Sequence, residues 1–260
     1  MSDFEWSIIQ PLLPNKPRGV PRVDDRRVLN GIFWRIRSGS PWSEIPERYG
    51  PYTTCYNRFV RWRKKGVWDR IFAAVTAAYE GEIQAVDSSS VRVHQHGANV
   101  KRGSGRRRKP PRGTSLEPSP MGRSRGGLTT KIHVVVDSNG LPITIKLTPG
   151  QAHDGRSAAD MLDSVTHNQV LLADRAYDSN ALHERMSKRG ALANVRPMPD
   201  RQHPPYFNTY LYRHRNMVER FFSKLKHCRA IATRYEKHAE NYLALVKIAA
   251  SRIWMRFMSR

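Results

Sequence analysis

Apolar residues in the first third of the chain recur at intervals that place them on one face of a helix. The clearest of these helices begins after Asp24 and Asp25, acidic residues that favour a helix start, and ends before Gly39 and Pro41. Its apolar positions are Val28, Leu29, Ile32, Phe33 and Ile36. We therefore expect an all-helical region over residues 1–80.

A short element over residues 42–48 and a basic, aromatic helix over residues 55–65, capped by Thr53 or Thr54, follow. A helix, a tight turn and a basic helix are typical of a helix-turn-helix unit, whose second helix lies in the major groove of DNA. The side chains expected to contact DNA are Tyr56, Asn57, Arg58, Arg61, Arg63 and Lys64. The alternative is an ordinary three-helix bundle with a solvated basic face.

After Gly81 the pattern changes to that of strands. Strands are predicted over residues 83–87, 131–137, 141–147, 169–174 and 191–195, with a hairpin turn at residues 138–140. Helices are predicted over residues 155–162 and 179–188, and the whole chain after Leu211 is expected to be helical. This order predicts an α/β fold with a mixed sheet, in a second domain over residues 81–260.

Residues 97–127 fit neither pattern, because they are rich in Gly, Ser, Pro and basic side chains. Such a segment buries too little apolar surface to order itself. We expect a basic arm that becomes ordered along DNA, with Arg106, Arg107 and Arg108 on the phosphates. A merely solvated insertion between two strands is the alternative.

The net charge of the chain indicates which class of molecule it binds. The chain has 45 Lys and Arg against 22 Asp and Glu, a net charge of +23 over 260 residues. This excess favours double-stranded DNA or another nucleic acid, a ribosomal or RNA-packaging role being the alternative. The sequence has no apolar run of the ~20 residues that cross a membrane and no secretory signal, so we expect a cytoplasmic, nucleoid-associated protein.

Metal-binding side chains give no zinc pattern. Cys55 and Cys228 lie far apart, and no CxxC pair exists. His94, His96 and His153 lack the spacing of a zinc site, so we interpret them as surface or phosphate-contacting residues.

Two aspartates follow predicted strands. Asp87 closes the first strand and Asp174 the fourth. Ligands of α/β sheets collect beyond the carboxyl ends of strands, so these carboxylates are placed to share a site. Taken singly, each has an ordinary explanation as a cap or turn residue.

A third carboxylate comes from the helix after Leu211. At about 100° per residue, one narrow face holds Tyr212, Arg215, Glu219 and Lys226. The adjoining apolar stripe, able to pack on the sheet, is formed by Met217, Val218, Phe221, Phe222 and Leu225. In the alternative, this is a surface helix in which Glu219 merely pairs with Arg215 four residues earlier.

Three converging carboxylates suit hard cations such as Mg²⁺ or Mn²⁺. Two such ions per active site support in-line phosphoryl transfer. Lys226, Arg215 and Tyr212 would then hold the phosphodiester.

The spacing Tyr212-x2-Arg215-x3-Glu219-x6-Lys226 matches the Y(2)R(3)E(6)K signature of bacterial insertion-sequence transposases of the IS4 and IS5 groups. With the sequences around Asp87 (AVDS) and Asp174 (LADRAY), the chain resembles an IS5-family DDE transposase. The amino-terminal region is similar to the DNA-binding domain usual in this family.

The resemblance implies an RNase H-like core in which Asp87, Asp174 and Glu219 bind the metal ions. It also implies binding to terminal inverted repeats, hydrolysis that exposes 3′-hydroxyls, and their transfer into target DNA. A homodimer or larger assembly on DNA is expected. The short segment over residues 196–211 argues against a hairpin intermediate. The rivals are a metal-dependent nuclease without strand transfer and a non-catalytic DNA-binding repressor.

Overall fold

The computed structural model describes residues 1–14, 24–79, 81–98, 120–124, 126–157 and 159–259. The helices within these ranges are α1 (Asp3–Ile9), α2 (Asp25–Ser38), α3 (Tyr52–Lys64), α4 (Val67–Thr76), α5 (Gln95–Ala98), α6 (Asp154–Ser157), α7 (Asn180–Lys188), α8 (Thr209–Tyr212), α9 (Asn216–Lys226), α10 (Arg229–Ala232) and α11 (Ala239–Met258). The strands are β1 (Ile83–Val93), β2 (Gly122–Ser124), β3 (Gly127–Val136), β4 (Pro142–Pro149), β5 (Val170–Ala173), β6 (Leu192–Val195) and β7 (Thr233–Arg234).

Helix α2 forms as its sequence predicts. The Asp24 side chain accepts a hydrogen bond from the Arg26 backbone N–H at 2.8 Å, which caps the first turn. Gly39 ends the helix in the left-handed conformation, with φ of 74°. The predicted apolar face is buried throughout: Val28, Leu29, Ile32, Phe33 and Ile36.

The chain between α2 and α3 contains more helical turns than the sequence predicts. Two 3₁₀ turns, Trp42–Glu44 and Glu47–Tyr49, replace the single short element. Helix α3 then begins at Tyr52, directly after Pro51, so Thr53 and Thr54 lie inside the helix and the expected cap at these residues was wrong. Pro51 starts the helix instead, because its carbonyl accepts the backbone N–H groups of the first turn.

The predicted mixed sheet is confirmed. Its strand order is β2-β3-β1-β5-β6, with β4 paired to β3 and β7 paired to β1. Strand β1 is antiparallel to β3 but parallel to β5, which is parallel to β6. The sheet therefore changes direction at β1.

Two strands are longer than the sequence predicts. Strand β1 continues past Asp87 to Val93, since it pairs with β3 as far as Arg92 opposite Thr129. Strand β3 begins at Gly127, where β2 pairs with it. The expectation that residues 97–127 are unordered throughout is thus wrong at both ends, where backbone hydrogen bonds and α5 supply the order. Residues 99–119 lie outside the described residues.

Other elements also depart from expectation. The helix predicted over residues 155–162 is divided into α6 and a 3₁₀ segment, Ala159–Ser164. The carboxyl-terminal region contains the two-residue strand β7, which pairs with the end of β1. The backbone N–H and C=O groups at the end of β1 can pair with another segment of the chain. The helical periodicity of the carboxyl-terminal sequence does not reveal this pairing.

Each face of the sheet carries its own apolar cluster. The larger one joins one face of the sheet to the amino-terminal helices and to α9 and α11. Helix α11 packs against α4 and β4, and the Trp254 indole N–H donates to the Pro142 carbonyl at 2.7 Å. Within the described ranges, no helix has the length and apolar character needed to span a membrane.

Candidate active site

The two predicted aspartates lie side by side on neighbouring strands. Strands β1 and β5 are parallel, and their ladder pairs Val86 with Ala173. Asp87 follows Val86 within β1, and Asp174 follows Ala173 directly after the end of β5. The expectation that Asp87 closes β1 was wrong, because β1 continues beside β3; Asp87 instead lies where β5 stops. The end of the shorter strand therefore brings the two carboxylates together.

Local hydrogen bonds hold each aspartate near its own backbone. The Asp174 carboxylate accepts the Arg175 backbone N–H at 2.7 Å and begins a 3₁₀ turn. The Asp87 carboxylate accepts the Ser88 backbone N–H at 2.7 Å through Oδ1. The second Asp87 oxygen, Oδ2, takes part in a tertiary contact with Arg215.

Arg215 connects the sheet to the third carboxylate. Its Nη1 lies 2.7 Å from Asp87 Oδ2, and its Nη2 lies 2.6 Å from Glu219 Oε1. Glu219 is positioned by α9, whose apolar face, Met217, Val218, Phe221, Phe222 and Leu225, is buried as predicted. The Arg215–Glu219 pair of the surface-helix alternative does form, but its guanidinium is also bound to the sheet.

Tyr212 completes the contacts of this cluster. Its hydroxyl lies 3.2 Å from Asp174 Oδ1, and the Arg215 guanidinium lies over its ring, 5.6 Å from the centroid. Lys226 is at the far end of α9 with an exposed side chain. Two of the four residues in the predicted polar face, Tyr212 and Arg215, thus contact the aspartates. Glu219 is connected to them through Arg215, and Lys226 lies two turns beyond Glu219.

The electrostatics of the cluster follow from its partial burial. Burial raises the pKa of Asp87, while the Ser88 N–H and Arg215 oppose this shift and Asp174 adds to it. Burial acts to lower the pKa of Arg215, but the charges of Asp87, Tyr212 and Glu219 outweigh it and raise the pKa. Arg215 therefore stays cationic and balances the carboxylates.

The donor chemistry fits a hard divalent cation. Asp87, Asp174 and Glu219 would supply the carboxylate oxygen ligands that Mg²⁺ and Mn²⁺ take in proteins. Across the ranges that the structure describes, however, no three His, Cys, Asp or Glu side chains form a ready metal-binding group. Arg215 instead pairs with carboxylate oxygens of both Asp87 and Glu219.

A polar network on the opposite face of β1 was not predicted. Ser88 donates to Asp154 Oδ1 at 2.8 Å, and Lys131 Nζ lies 3.0 Å from the same oxygen. Tyr177 is buried nearby, and burial, followed by the charges of Asp87 and Asp154, raises its pKa. Ser88 and Tyr177 belong to the sequences around the two aspartates, so their positions beside them were the available signal.

The side chains predicted on the second helix divide into two groups. Tyr56, Asn57, Arg61 and Lys64 of α3 are exposed. Arg58 is buried and pairs with Asp25, and Arg63 pairs with Glu240. Their guanidinium groups hold helices together, so the structure does not support Arg58 as a free DNA contact. Arg106, Arg107 and Arg108 lie outside the described residues.

Two family models together match almost all of the chain. Residues 78–254 match the model described as "Transposase DDE domain". Residues 1–72 match the model described as "Putative transposase of IS4/5 family".

Individual proteins show the same likeness. The "Putative transposase for insertion sequence element IS6501" of Brucella ovis is 38% identical over 130 residues, which cover 50% of this chain and 100% of that protein. The "Insertion element IS402 uncharacterized 16.2 kDa protein" of Burkholderia cepacia is 33% identical over 137 residues, covering 47% of this chain and 93% of that protein.

A solved structure shares the fold. The cryo-EM structure of the piggyBac transposase synaptic complex with hairpin DNA aligns with a TM-score of 0.51 at 10% identity. The alignment covers 98% of this chain and 71% of that chain. At this identity the likeness bears on the fold alone, and it confirms the expected RNase H-like core.

Proposed function

The chain belongs to the DDE-domain transposases of insertion sequences in the IS4/5 family, and from this membership we propose that it cuts the ends of its own element and joins them to new DNA. In this proposal the chain binds terminal inverted repeats, exposes 3′-hydroxyls by hydrolysis, and transfers them by two-metal-ion phosphoryl transfer. The observation that carries the proposal is the adjacency of Asp87 and Asp174, with Arg215 joining Asp87 to Glu219.

The proposed metal ligands are Asp87, Asp174 and Glu219. Membership of the family implies dependence on divalent metal ions, and the three residues would hold two Mg²⁺ or Mn²⁺ ions through carboxylate oxygens. When bound, such a pair of cations activates an attacking oxygen and stabilises the leaving one. The chain's own side chains must then bind and orient the DNA.

Arg215 has two roles in this proposal. Before metal and DNA bind, its guanidinium balances Asp87 and Glu219. With cations on these carboxylates, Arg215 would be free to pair with a phosphate of the DNA, because a guanidinium binds carboxylate and phosphate with the same planar donor geometry. Tyr212 and Lys226 would bind the same strand through a hydroxyl and an ammonium donor.

DNA is the proposed partner of the exposed side of α3. Tyr56 and Asn57 would contact bases or sugars, and Arg61 and Lys64 would contact phosphates. The net charge of +23 supports a polyanionic partner. Because two element ends must be held together for transposition, we also propose a homodimer or larger assembly on DNA.

The test uses a plasmid that carries the DNA flanking this gene, incubated with the protein and Mg²⁺. We expect nicks at the element ends and products in which those ends are covalently joined to a second DNA. Asp87→Asn, Asp174→Asn and Glu219→Gln should each reduce both products by about a thousandfold or more. Glu184→Gln is the matched control, since Glu184 is an exposed carboxylate of α7 paired with Lys188.

The outcomes separate the rival functions. Cleavage without joined products would identify a nuclease. Binding of the flanking DNA that is unaltered by Asp87→Asn, with no cleavage by either protein, would identify a repressor. Gel-shift binding by all three variants would confirm that they lose chemistry while keeping their fold.

A further inference from the structure

A cleft separate from the carboxylate cluster lies between α3 and the chain that precedes α11. It has a volume of about 520 Å³, within the roughly 300–1,000 Å³ of ordinary ligand sites. One wall comes from α2, the following loop and α3, and the other from residues 235–241. The residues that line it include Arg35, Trp42, Tyr52, Tyr56, Tyr235 and Asn241.

Three tyrosine rings stand at this cleft with unusual exposure. Tyr52 is 47% exposed, Tyr56 39% and Tyr235 37%. Two of the rings are held in place by aromatic neighbours: Tyr56 lies edge-on to Trp42 at 5.4 Å, and Tyr235 lies 4.7 Å from His94. Exposed rings that are fixed on one side offer surfaces on which another flat ring can stack.

Unsatisfied polar atoms are concentrated around this cleft, on both of its walls. Among the described residues, seven buried side-chain nitrogen or oxygen atoms lack a hydrogen-bond partner, and four of them belong to this cleft. These four atoms are Nε and Nη1 of Arg35, Nε1 of Trp42 and Oδ1 of Asn241. Arg35 and Asn241 are each only 4% exposed.

The four unpaired atoms lie beneath the surface of the cleft. The Arg35 guanidinium lies over the Trp42 ring, 5.0 Å from its centroid, and Glu236 neutralises it at 2.8 Å. These contacts fix the floor of the cleft behind the exposed tyrosines. A ligand that fits the cleft surface has a flat face for the tyrosine rings.

We infer that this cleft binds one unpaired nucleotide of the DNA. A nucleobase has a flat face that stacks on aromatic side chains, and its phosphate is bound by neighbouring cations. The exposed Lys237 and His238 at the cleft are placed for the attached phosphate. Tyr56 and Asn57 belong both to the cleft and to the exposed side of α3, so the unpaired nucleotide would lie beside the duplex that α3 binds. The inference rests on the proposed function for DNA as the partner.

The test compares two fluorescently labelled duplexes of the same sequence, one fully paired and one with a single bulged 2-aminopurine nucleotide. Binding is measured by anisotropy in EDTA, so that no cleavage occurs. We expect the intact protein to bind the bulged duplex about tenfold more tightly, as stacking of one base on an aromatic side chain allows. Quenching of the 2-aminopurine should report the stacking directly.

Variants locate the effect at the cleft. Tyr52→Ala and Tyr235→Ala should each reduce the preference and the quenching, whereas Tyr235→Phe should retain both because stacking needs only the ring. Tyr206→Ala is the matched control, since Tyr206 is 67% exposed and lies outside the cleft. Thermal unfolding of each variant checks that the fold is intact.

Each outcome decides the inference. Equal affinity of the intact protein for both duplexes would overturn it while leaving the proposed function standing, and so would a preference that survives both alanine substitutions. Failure to bind either duplex would overturn the proposed DNA partner as well.

Discussion

His133 is a buried imidazole in the middle of β3. Its Nε2 lies 2.7 Å from the Thr148 hydroxyl, and the side chain is fully buried. Burial lowers the pKa of His133 to about 4, and the positive charges of Lys131 and Lys146 add to this shift against the opposing charge of Asp154. The folded chain therefore holds His133 neutral.

This residue should make stability depend on pH. The folded pKa lies below the unfolded value of about 6.5, so the stabilisation is fully present above pH 6.5 and is lost as the pH falls toward 4. Between pH 7 and pH 5 the free energy of unfolding should fall by roughly 2 kcal/mol through this group. Urea unfolding at both pH values measures the fall.

Two histidine variants isolate the contribution of His133. His133→Gln should remove that part of the pH dependence, whereas His203→Gln, at an exposed histidine, should leave it unchanged. An undiminished fall in the His133→Gln variant would show that another group is responsible.

Arg215 shows what residue spacing can and cannot predict. Its pair with Glu219 follows from helical spacing, since side chains four residues apart share a helix face. Its second pair, with Asp87, joins residues 128 positions apart in the chain. Periodicity carries no information about such distances, so the bridging position of Arg215 emerged only from the tertiary structure.

At the scale of elements, α9 was predictable and β1 was not. The apolar stripe of α9 is a property of its own sequence, and all five of its residues are buried. The second half of β1 begins with Ser88, Ser89 and Ser90, which lack the apolar alternation of a strand. Hydrogen bonds with β3 extend the strand through them, because non-local pairing overrides weak local preference.

The hairpin turn between β3 and β4 supports α9. Gly140 has a φ of 73°, and a Cβ at this position would lie 2.8 Å from the Met217 carbonyl oxygen. Met217 is two residues before Glu219, so this contact helps to fix the position of α9, which carries the third carboxylate, relative to the sheet. Only glycine provides both the left-handed backbone and the close approach.

Gly140→Ala should therefore damage stability and chemistry together. The left-handed backbone alone costs about 1–3 kcal/mol for a residue other than glycine, and the contact with Met217 adds to this. We expect a lower free energy of unfolding in urea and reduced cleavage of the element ends.

Gly66→Ala provides the matched control. Gly66 has a similar φ of 65°, but a Cβ there would meet its nearest neighbours only at 4.0 Å. This variant should show the backbone strain without loss of cleavage beyond its stability effect. Equal losses in the two variants would mean that the Met217 contact is unimportant.

At the scale of the whole molecule, only part of the positive charge is available to bind DNA. The net charge is +23, yet Arg58 and Arg63 of α3 are engaged with Asp25 and Glu240. Sequence composition predicted the polyanionic partner but gave no means of separating basic residues that face solvent from those that hold helices together. Burial and pairing in the structure make that distinction.

The salt dependence of DNA binding tests this distinction. Arg61→Ala and Lys64→Ala should each weaken binding and reduce the slope of log K against log salt by about one, because each removes a phosphate contact. Arg58→Ala should leave the slope unchanged and instead lower stability by roughly 1–3 kcal/mol, because it removes a buried guanidinium and its ion pair with Asp25, which joins α3 to α2. Fluorescence anisotropy over a salt series and urea unfolding supply the two measurements.

If Arg58→Ala reduced the slope of log K against log salt without loss of stability, Arg58 would be a DNA contact after all. Unchanged slopes for Arg61→Ala and Lys64→Ala would place the duplex on another surface.

Helix α11 packs against α3, α4 and β4, so it joins the helix proposed to bind DNA and the sheet that carries the aspartates into one packed frame. If the proposed function holds, such a frame fixes the distance between the DNA-binding helix and the active site. The number of base pairs between the sequence it grips and the bond it breaks would be fixed by the protein, and inserting half a helical turn of DNA between them would rotate the scissile phosphate to the wrong side.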